Sequence, residues 1–266
     1  MKAYLNKWLQ TIRISLSFYL NYKFNFILQI FGPVIVFFIV KVNLWKAIFN
    51  SSDTGIVNSY SLTAMISYHG WAMVVQLVGN GYTGTHLAED IRLGRISSYL
   101  IYPIHLWEFH TGQFIAFQFI QFFSAILFLL VLSFTNILIL PLNSELFFGV
   151  IYLLGVSFFW FVLQYFTGLM AFYLEETWIF RVLIQVMVAF LSGLVMPLEF
   201  FPLWFQEIVF YTPFPYLSYY PVKILMGEIS FSWSYLGILA LWILPVILVN
   251  KIIWNKGLKN YTAAGM

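Results

Sequence analysis

The chain has 266 residues, of which 62% are hydrophobic, 21% aromatic and 9% charged, with a formal net charge of +3. Soluble domains carry about 25% charged residues, so this composition excludes an ordinary soluble globular protein and marks a membrane protein. The absence of cysteine excludes disulfides and thiolate-ligated haem or zinc.

At the N-terminus, Leu5, Trp8, Leu9, Ile12, Leu16 and Tyr19 repeat at helical spacing opposite Lys2, Asn6, Gln10, Arg13 and Ser17. This is the pattern of an amphipathic helix lying on the inner leaflet over residues 1–22. A cytosolic extension of the first span is the other reading. Six charge-free runs follow, at 24–40, 54–88, 109–144, 146–174, 182–198 and 229–250, each at least 17 residues long, against about 20 needed to cross a bilayer. They predict spans at roughly 24–44, 60–84, 109–133, 147–173, 178–197 and 232–254. The two shortest runs are extended by Lys23, Lys41 and Arg181 snorkelling from their ends. The expected fold is an all-α membrane protein of six transmembrane helices, forming one domain over 1–266.

The second predicted span contains His69, Gln76 and Asn80, and the fifth contains Gln185. Polar groups at membrane depth face protein or a water-filled cavity, so these four either line a pathway or make interhelical hydrogen bonds. Gln113, Gln118, Gln121 and Gln164 are open to the same two readings. Between the second and third spans, residues 85–108 carry Glu89, Asp90, Arg92 and Arg95 within seven residues, followed by an apolar stretch ending at Pro103. A short helix from about Ile96, with Ile96, Leu100 and Ile101 on one face, would lie along the membrane and present the charged lead-in to a partner.

After the fifth span, Pro197, Pro202, Pro213, Pro215 and Pro221 interrupt a stretch filled with Phe, Trp, Tyr, Leu and Val. Each proline removes a backbone donor and restricts the residue before it. Only 15 uncharged residues, three of them proline, separate Glu207 from Lys223, so short re-entrant or interfacial helices are expected rather than another crossing. Broken backbone at membrane depth is tolerated where protein buries it or water reaches it, which makes 197–228 a conduit or gate.

Six crossings put both termini on one side. Ten Lys and Arg residues fall on that side, and three, Lys41, Lys46 and Lys223, on the other. This bias makes the termini cytoplasmic and places the proline-broken segment outside. The net charge therefore reports orientation, not nucleic-acid binding.

The chain has no Gly-x-x-x-x-Gly-Lys-Ser/Thr loop and no Gly-Lys dipeptide, so it does not cradle nucleotide phosphates by that route. His105, Glu108 and His110 lack the i, i+4 histidine spacing of a helical metal site. Ser67 and His69, two apart on a helix, point away from each other and make no nucleophile pair. No catalytic set and no cofactor site follow from these residues. Glu175 and Glu176 lie beside Arg181 at the inner surface, either as a solvated turn or as a partner contact.

Three groups of residues together carry a family resemblance. They are Asp90-Ile91-x-x-Gly94 with Leu100 and Pro103; Ser192-Gly193 with Pro197, Phe201, Pro202, Pro213-Phe214, Pro221 and Gly227; and Lys256-Gly257-Leu258-Lys259-x-Tyr261 with Gly265. In this order on six spans they resemble the integral membrane permease of type-2 ATP-binding-cassette (ABC) exporters, over nearly the whole chain. The resemblance implies a permease dimer, of identical or paralogous chains, served by separate ATPase subunits that bind ATP and Mg. It implies that the N-terminal helix and a coupling loop marked by Glu89, Asp90, Arg92, Gly94 and Arg95 dock on the ATPase. It also implies an outer gate containing Pro197, Phe201, Pro202, Pro213, Phe214 and Pro221, a pathway between the second and fifth spans, and a bacterial plasma-membrane location. The outer loops are short, unlike those of members with large extracellular domains. A secondary transporter or channel is the rival reading, and the lack of charge near any span centre argues against it.

Overall fold

The computed structural model describes residues 2–21, 23–52, 55–79, 81–101, 104–138 and 144–261. The long elements are α1 (Lys2–Asn21), α2 (Lys23–Asn50), α3 (Leu62–Gly79), α6 (Leu106–Phe134), α7 (Ser144–Leu169), α8 (Thr177–Leu191) and α11 (Trp233–Asn260). Shorter helices are α4 (Thr83–Arg92), α5 (Ile96–Ile101), α9 (Leu203–Phe210) and α10 (Tyr219–Leu225). The sheet structure among the described residues is one small hairpin, β1 (Ile56–Val57) antiparallel to β2 (Tyr60–Ser61). The chain is therefore an all-α protein.

In lipid a lone segment must satisfy its own backbone, and charge-free apolar runs do so as helices. Among the described residues, four stretches are long and apolar enough to cross a membrane: Ile27–Asn50, Leu106–Phe134, Ser144–Phe172 and Trp233–Lys259. The other two expected spans are of a different kind. α3 has 18 residues, and Tyr68, His69 and Gln76 dilute its hydropathy. α8 has 15 residues, about 22 Å of helix against a hydrocarbon core of about 30 Å.

α3 is the centre of the molecule. Met65, Tyr68, Trp71, Met73 and Leu77 are all buried, and the helix packs on α2, α6, α7 and α10. α8 is the opposite case: among its residues only Val188 is buried, while Ile179, Leu183, Val186 and Phe190 are exposed. Apolar exposure on that scale belongs against lipid or another membrane helix rather than water. α1 runs along the start of α6. There Lys7 Nζ lies 2.7 Å from Glu108 Oε2, the Tyr4 hydroxyl donates to Glu108, and Thr11 fills the notch at Gly112. Leu5 and Leu9 of the predicted apolar face point outward.

The second predicted span does not run on to residue 84 as one helix. α3 ends at Gly79 and α4 begins at Thr83. The Gln164 carboxamide, oriented to satisfy both main-chain groups, donates to the Gly81 carbonyl at 2.8 Å and accepts from its N–H at 3.2 Å. Past the break, α4 lies directly on α7 because both helices carry glycine at the crossing. A methyl group at Gly84 would stand 2.6 Å from the Gln164 carbonyl oxygen, and one at Gly168 would stand 2.9 Å from the Gly84 oxygen. Backbone cannot yield to such a contact as a side-chain tip does. Substituting Gly84 by valine is expected to separate α4 from α7 and destabilise the protein by about 1–3 kcal/mol, read as a lower unfolding midpoint of the purified chain in detergent.

Candidate functional site

The candidate functional residues fall into three groups. At the end predicted to be cytoplasmic, α4 closes with a Schellman motif: Gly94 N–H donates to the Ile91 carbonyl at 3.3 Å and Arg95 N–H to the Asp90 carbonyl at 2.9 Å. The motif needs a left-handed residue after the cap, and Gly94 supplies it with φ of 73°. Asp90 turns inward. Its carboxylate is buried, 3.4 Å from Arg95 and 3.3 Å from His110 Nε2. Glu89, Arg92, Leu93 and Arg95 face outward.

α4 is tied down on several sides. Arg92 meets Glu176 at 3.5 Å, an exposed pair contributing about 0–1 kcal/mol. Arg181 of α8 donates to Thr85, and the Tyr261 hydroxyl donates to the Ile91 carbonyl at 3.0 Å. Beneath, Leu87, Ile91, Ile96, Leu106 and Leu169 form a closed apolar cluster. The predicted short helix from Ile96 is present as α5, with Ile96 buried and Ile101 82% exposed. The two therefore do not share a buried face.

Between α3, α7 and α8 lies a cavity of about 320 Å³, lined among others by Gln76, Gln164, Gln185, Trp160, Ser192 and Ser218 and, among the described residues, by no charged side chain. Ser218 is 4% exposed, and its hydroxyl has no hydrogen-bond partner among the described residues. The cavity wall includes Gly79, so Gln164 both faces the cavity and holds the break that leads into α4.

At the opposite end, the prolines begin helices rather than merely interrupting one. Pro202 caps α9, Pro213 precedes the turn Phe214–Leu217, and Pro221 lies in the first turn of α10, where a missing N–H costs no helical bond. Charge fastens this segment to the hairpin. Lys223 Nζ reaches Tyr60 Oη at 2.6 Å, Glu228 Oε2 at 2.5 Å and Glu199 Oε1 at 3.1 Å. The Tyr219 hydroxyl donates to Glu199 at 2.8 Å, and Asn58 donates to the Glu199 carbonyl at 2.6 Å. Burial alone would lower the Lys223 ammonium, but its bonds to Glu228 and Tyr60 and the charge of Glu199 hold it above its ordinary value.

Against this geometry, a family model described as ABC-2 family transporter protein matches residues 34–265. The chain belongs to that family. No curated protein matches it closely. An ABC-2 protein is the membrane component of an ABC transporter rather than its catalytic subunit, and membership implies an ATPase partner.

In this ABC-2 chain, two of the four expected pathway residues, Gln76 and Gln185, meet in one cavity. His69 is buried elsewhere, against Lys41 and Trp45, and Asn80 lies outside the described residues. Gln118 is an interhelical bonder, donating to the Val78 carbonyl at 3.2 Å. Glu108 caps α6 by accepting the His105 N–H at 3.0 Å, and among the described residues no cluster suited to a metal ion occurs. Leu100 has no described side chain, and Pro103 lies outside the described residues. Tyr60, Glu199, Lys223 and Glu228 were not singled out from the sequence, although three charges in an apolar stretch are a legible signal. Replacing Lys223 by methionine should cost about 1–3 kcal/mol by leaving its partners unpaired, with Tyr60→Phe milder at about 1 kcal/mol; thermal unfolding of the two variants checks this order.

Proposed function

We propose that this ABC-2 chain is the membrane-spanning permease of an ATP-driven exporter. It works as a dimer of two permease chains, identical or paralogous, with ATP and Mg bound by separate ATPase subunits. In this reading α2, α3, α6, α7, α8 and α11 make six crossings of a bacterial plasma membrane, α1 lies at the inner leaflet, and both termini are cytoplasmic.

The observation that carries the reading is the outward-facing turn at the end of α4. Its exposed residues Glu89, Arg92, Leu93 and Arg95 offer charge of both signs and one apolar knob. Asp90 and Gly94 hold the turn from within rather than meeting the partner. A push on such a turn travels as a rigid displacement, because α4 is locked to α7 at Gly84 and Gly168 and to the cavity wall through Gln164. Closure of the ATPases then moves the walls around Gln76 and Gln185 and loads the outer segment. That segment, with Pro197, Phe201, Pro202, Pro213, Phe214 and Pro221, acts as an outer gate whose short helices re-enter the membrane edge, closed by the bonds of Lys223 to Glu199, Glu228 and Tyr60.

Co-purification from native membranes followed by an ATPase assay tests the reading. Recovery of a nucleotide-binding subunit is expected, and a chain that never recovers one points instead to ion-coupled or passive flux. Within such a complex, Glu89→Lys combined with Arg92→Glu should cut export and permease-stimulated hydrolysis at least tenfold, about 1.4 kcal/mol of coupling, with the unfolding midpoint lowered only slightly by loss of the exposed Arg92–Glu176 pair. Asp90→Asn, which weakens an internal contact, should lower the midpoint as well.

A further inference from the structure

We infer that Lys41, His69 and Trp45 form a proton-binding site inside the membrane domain, which fastens α2 and α3 to the start of the outer segment only while it carries no excess proton. The inference is independent of ATP coupling.

Lys41 and Trp45 are one turn apart on α2, and both reach His69 of α3, which is 1% exposed. Trp45 Nε1 donates to His69 Nε2 at 2.6 Å. Lys41 Nζ lies 3.2 Å from His69 Nδ1 and donates to the Leu194 carbonyl at 2.6 Å. The indole and imidazole rings also stack, with centroids 5.8 Å apart. Leu194 follows Gly193, whose φ is 78°, and lines the cavity.

The proton inventory of this chain is fixed by chemistry. An indole N–H only donates, so Nε2 must be the bare nitrogen and a neutral imidazole carries its proton on Nδ1. That proton points at Nζ, which accepts it only with a free lone pair, as a neutral amine. The amine in turn keeps an N–H for Leu194. Three bonds then run in one direction, from Trp45 to His69 to Lys41 to Leu194.

No arrangement with one more proton keeps all three. An imidazolium turns an Nε2–H against the Trp45 N–H. An ammonium facing Nδ1–H opposes donor to donor and sets a positive charge against the ring. Moving the ring proton to Nε2 lets the ammonium donate to Nδ1 but again collides with Trp45. An unmade bond between buried groups is costly, whereas Lys41 is half-buried and its four-carbon stem can swing the ammonium toward the interface. Proton uptake therefore releases the Leu194 carbonyl. The junction between α8 and the outer segment then retains the Tyr68 hydroxyl bond to the Gly193 carbonyl, at 2.7 Å.

The titratable groups facing the site leave this logic intact. On α3, Tyr68 meets the imidazole edge-on at 5.5 Å with its hydroxyl committed to Gly193. On the hairpin and the outer segment, Tyr60, Glu199 and Lys223 are bonded to one another.

The chain has no cysteine, so one nitroxide attached at V195C, next to Leu194, reports on the junction alone. The full-length protein in lipid nanodiscs is examined by electron paramagnetic resonance from about pH 5 to pH 10, spanning ordinary histidine and lysine titration. The label is expected to be restrained at alkaline pH and to become mobile on acidification. Lys41→Met, or the milder Lys41→Gln, should abolish the transition. Trp45→Phe removes the N–H that forbids the other tautomer, so an ammonium can donate to Nδ1 and Leu194 together. In that variant the restrained state should persist to lower pH than in the parent. A pH-independent label in the parent overturns the inference, as does a transition retained in both Lys41 variants or one unmoved in Trp45→Phe.

Discussion

Wherever a membrane helix stops short, its orphaned backbone groups need partners that water would supply elsewhere, and in this chain side chains supply several of them. Gln164 satisfies both main-chain groups of Gly81 at the α3–α4 break. Tyr68 and Lys41 hold the carbonyls of Gly193 and Leu194 where α8 ends. Tyr152 bonds the Tyr216 carbonyl, Asn58 that of Glu199, and Tyr261 that of Ile91 at the end of α4. Each of these partners comes from another element, so each of these interruptions is also a tertiary cross-link.

This arrangement joins parts that lie far apart. The turn after α4, the cavity and the proline-started helices are separate sites, and α7 touches the body of α4 through Gly168 and the cavity through Gln164. Tight glycine contacts move as one body, whereas a hydrogen-bonded joint can be remade. The rigid contact sits at the α4–α7 crossing, and the remakeable joints sit at Gly81, at Gly193 and Leu194, and around Lys223. Such a distribution suits a membrane component that receives a mechanical input at one end and rearranges at the other.

Much of the membrane character was legible in the residues. Each of α2, α3, α6, α7, α8 and α11 overlaps one charge-free run, with ends that differ by up to ten residues, since burial in lipid demands apolar length and little else. The cluster from Glu89 to Arg95 marked a charged connection but not the helix α4 on which Glu89, Asp90 and Arg92 lie, and the prolines announced short helices. Contacts between distant residues were not legible. Asp90 reads as one more surface charge beside Glu89, yet it is buried against Arg95 and His110. His69 reads like Gln76, seven residues on, yet the two lie in different environments because α3 is buried all round.

The sequence by itself determined that the chain is helical, embedded in a membrane and broken by proline after the fifth apolar run, because local composition sets what can enter lipid and where a helix must stop. Only the tertiary structure decided that α3 breaks at Gly79, that Gln76 and Gln185 share a cavity, and that Lys41 meets His69. Those facts depend on which side chains from distant helices satisfy a given backbone group, and no local pattern encodes that choice.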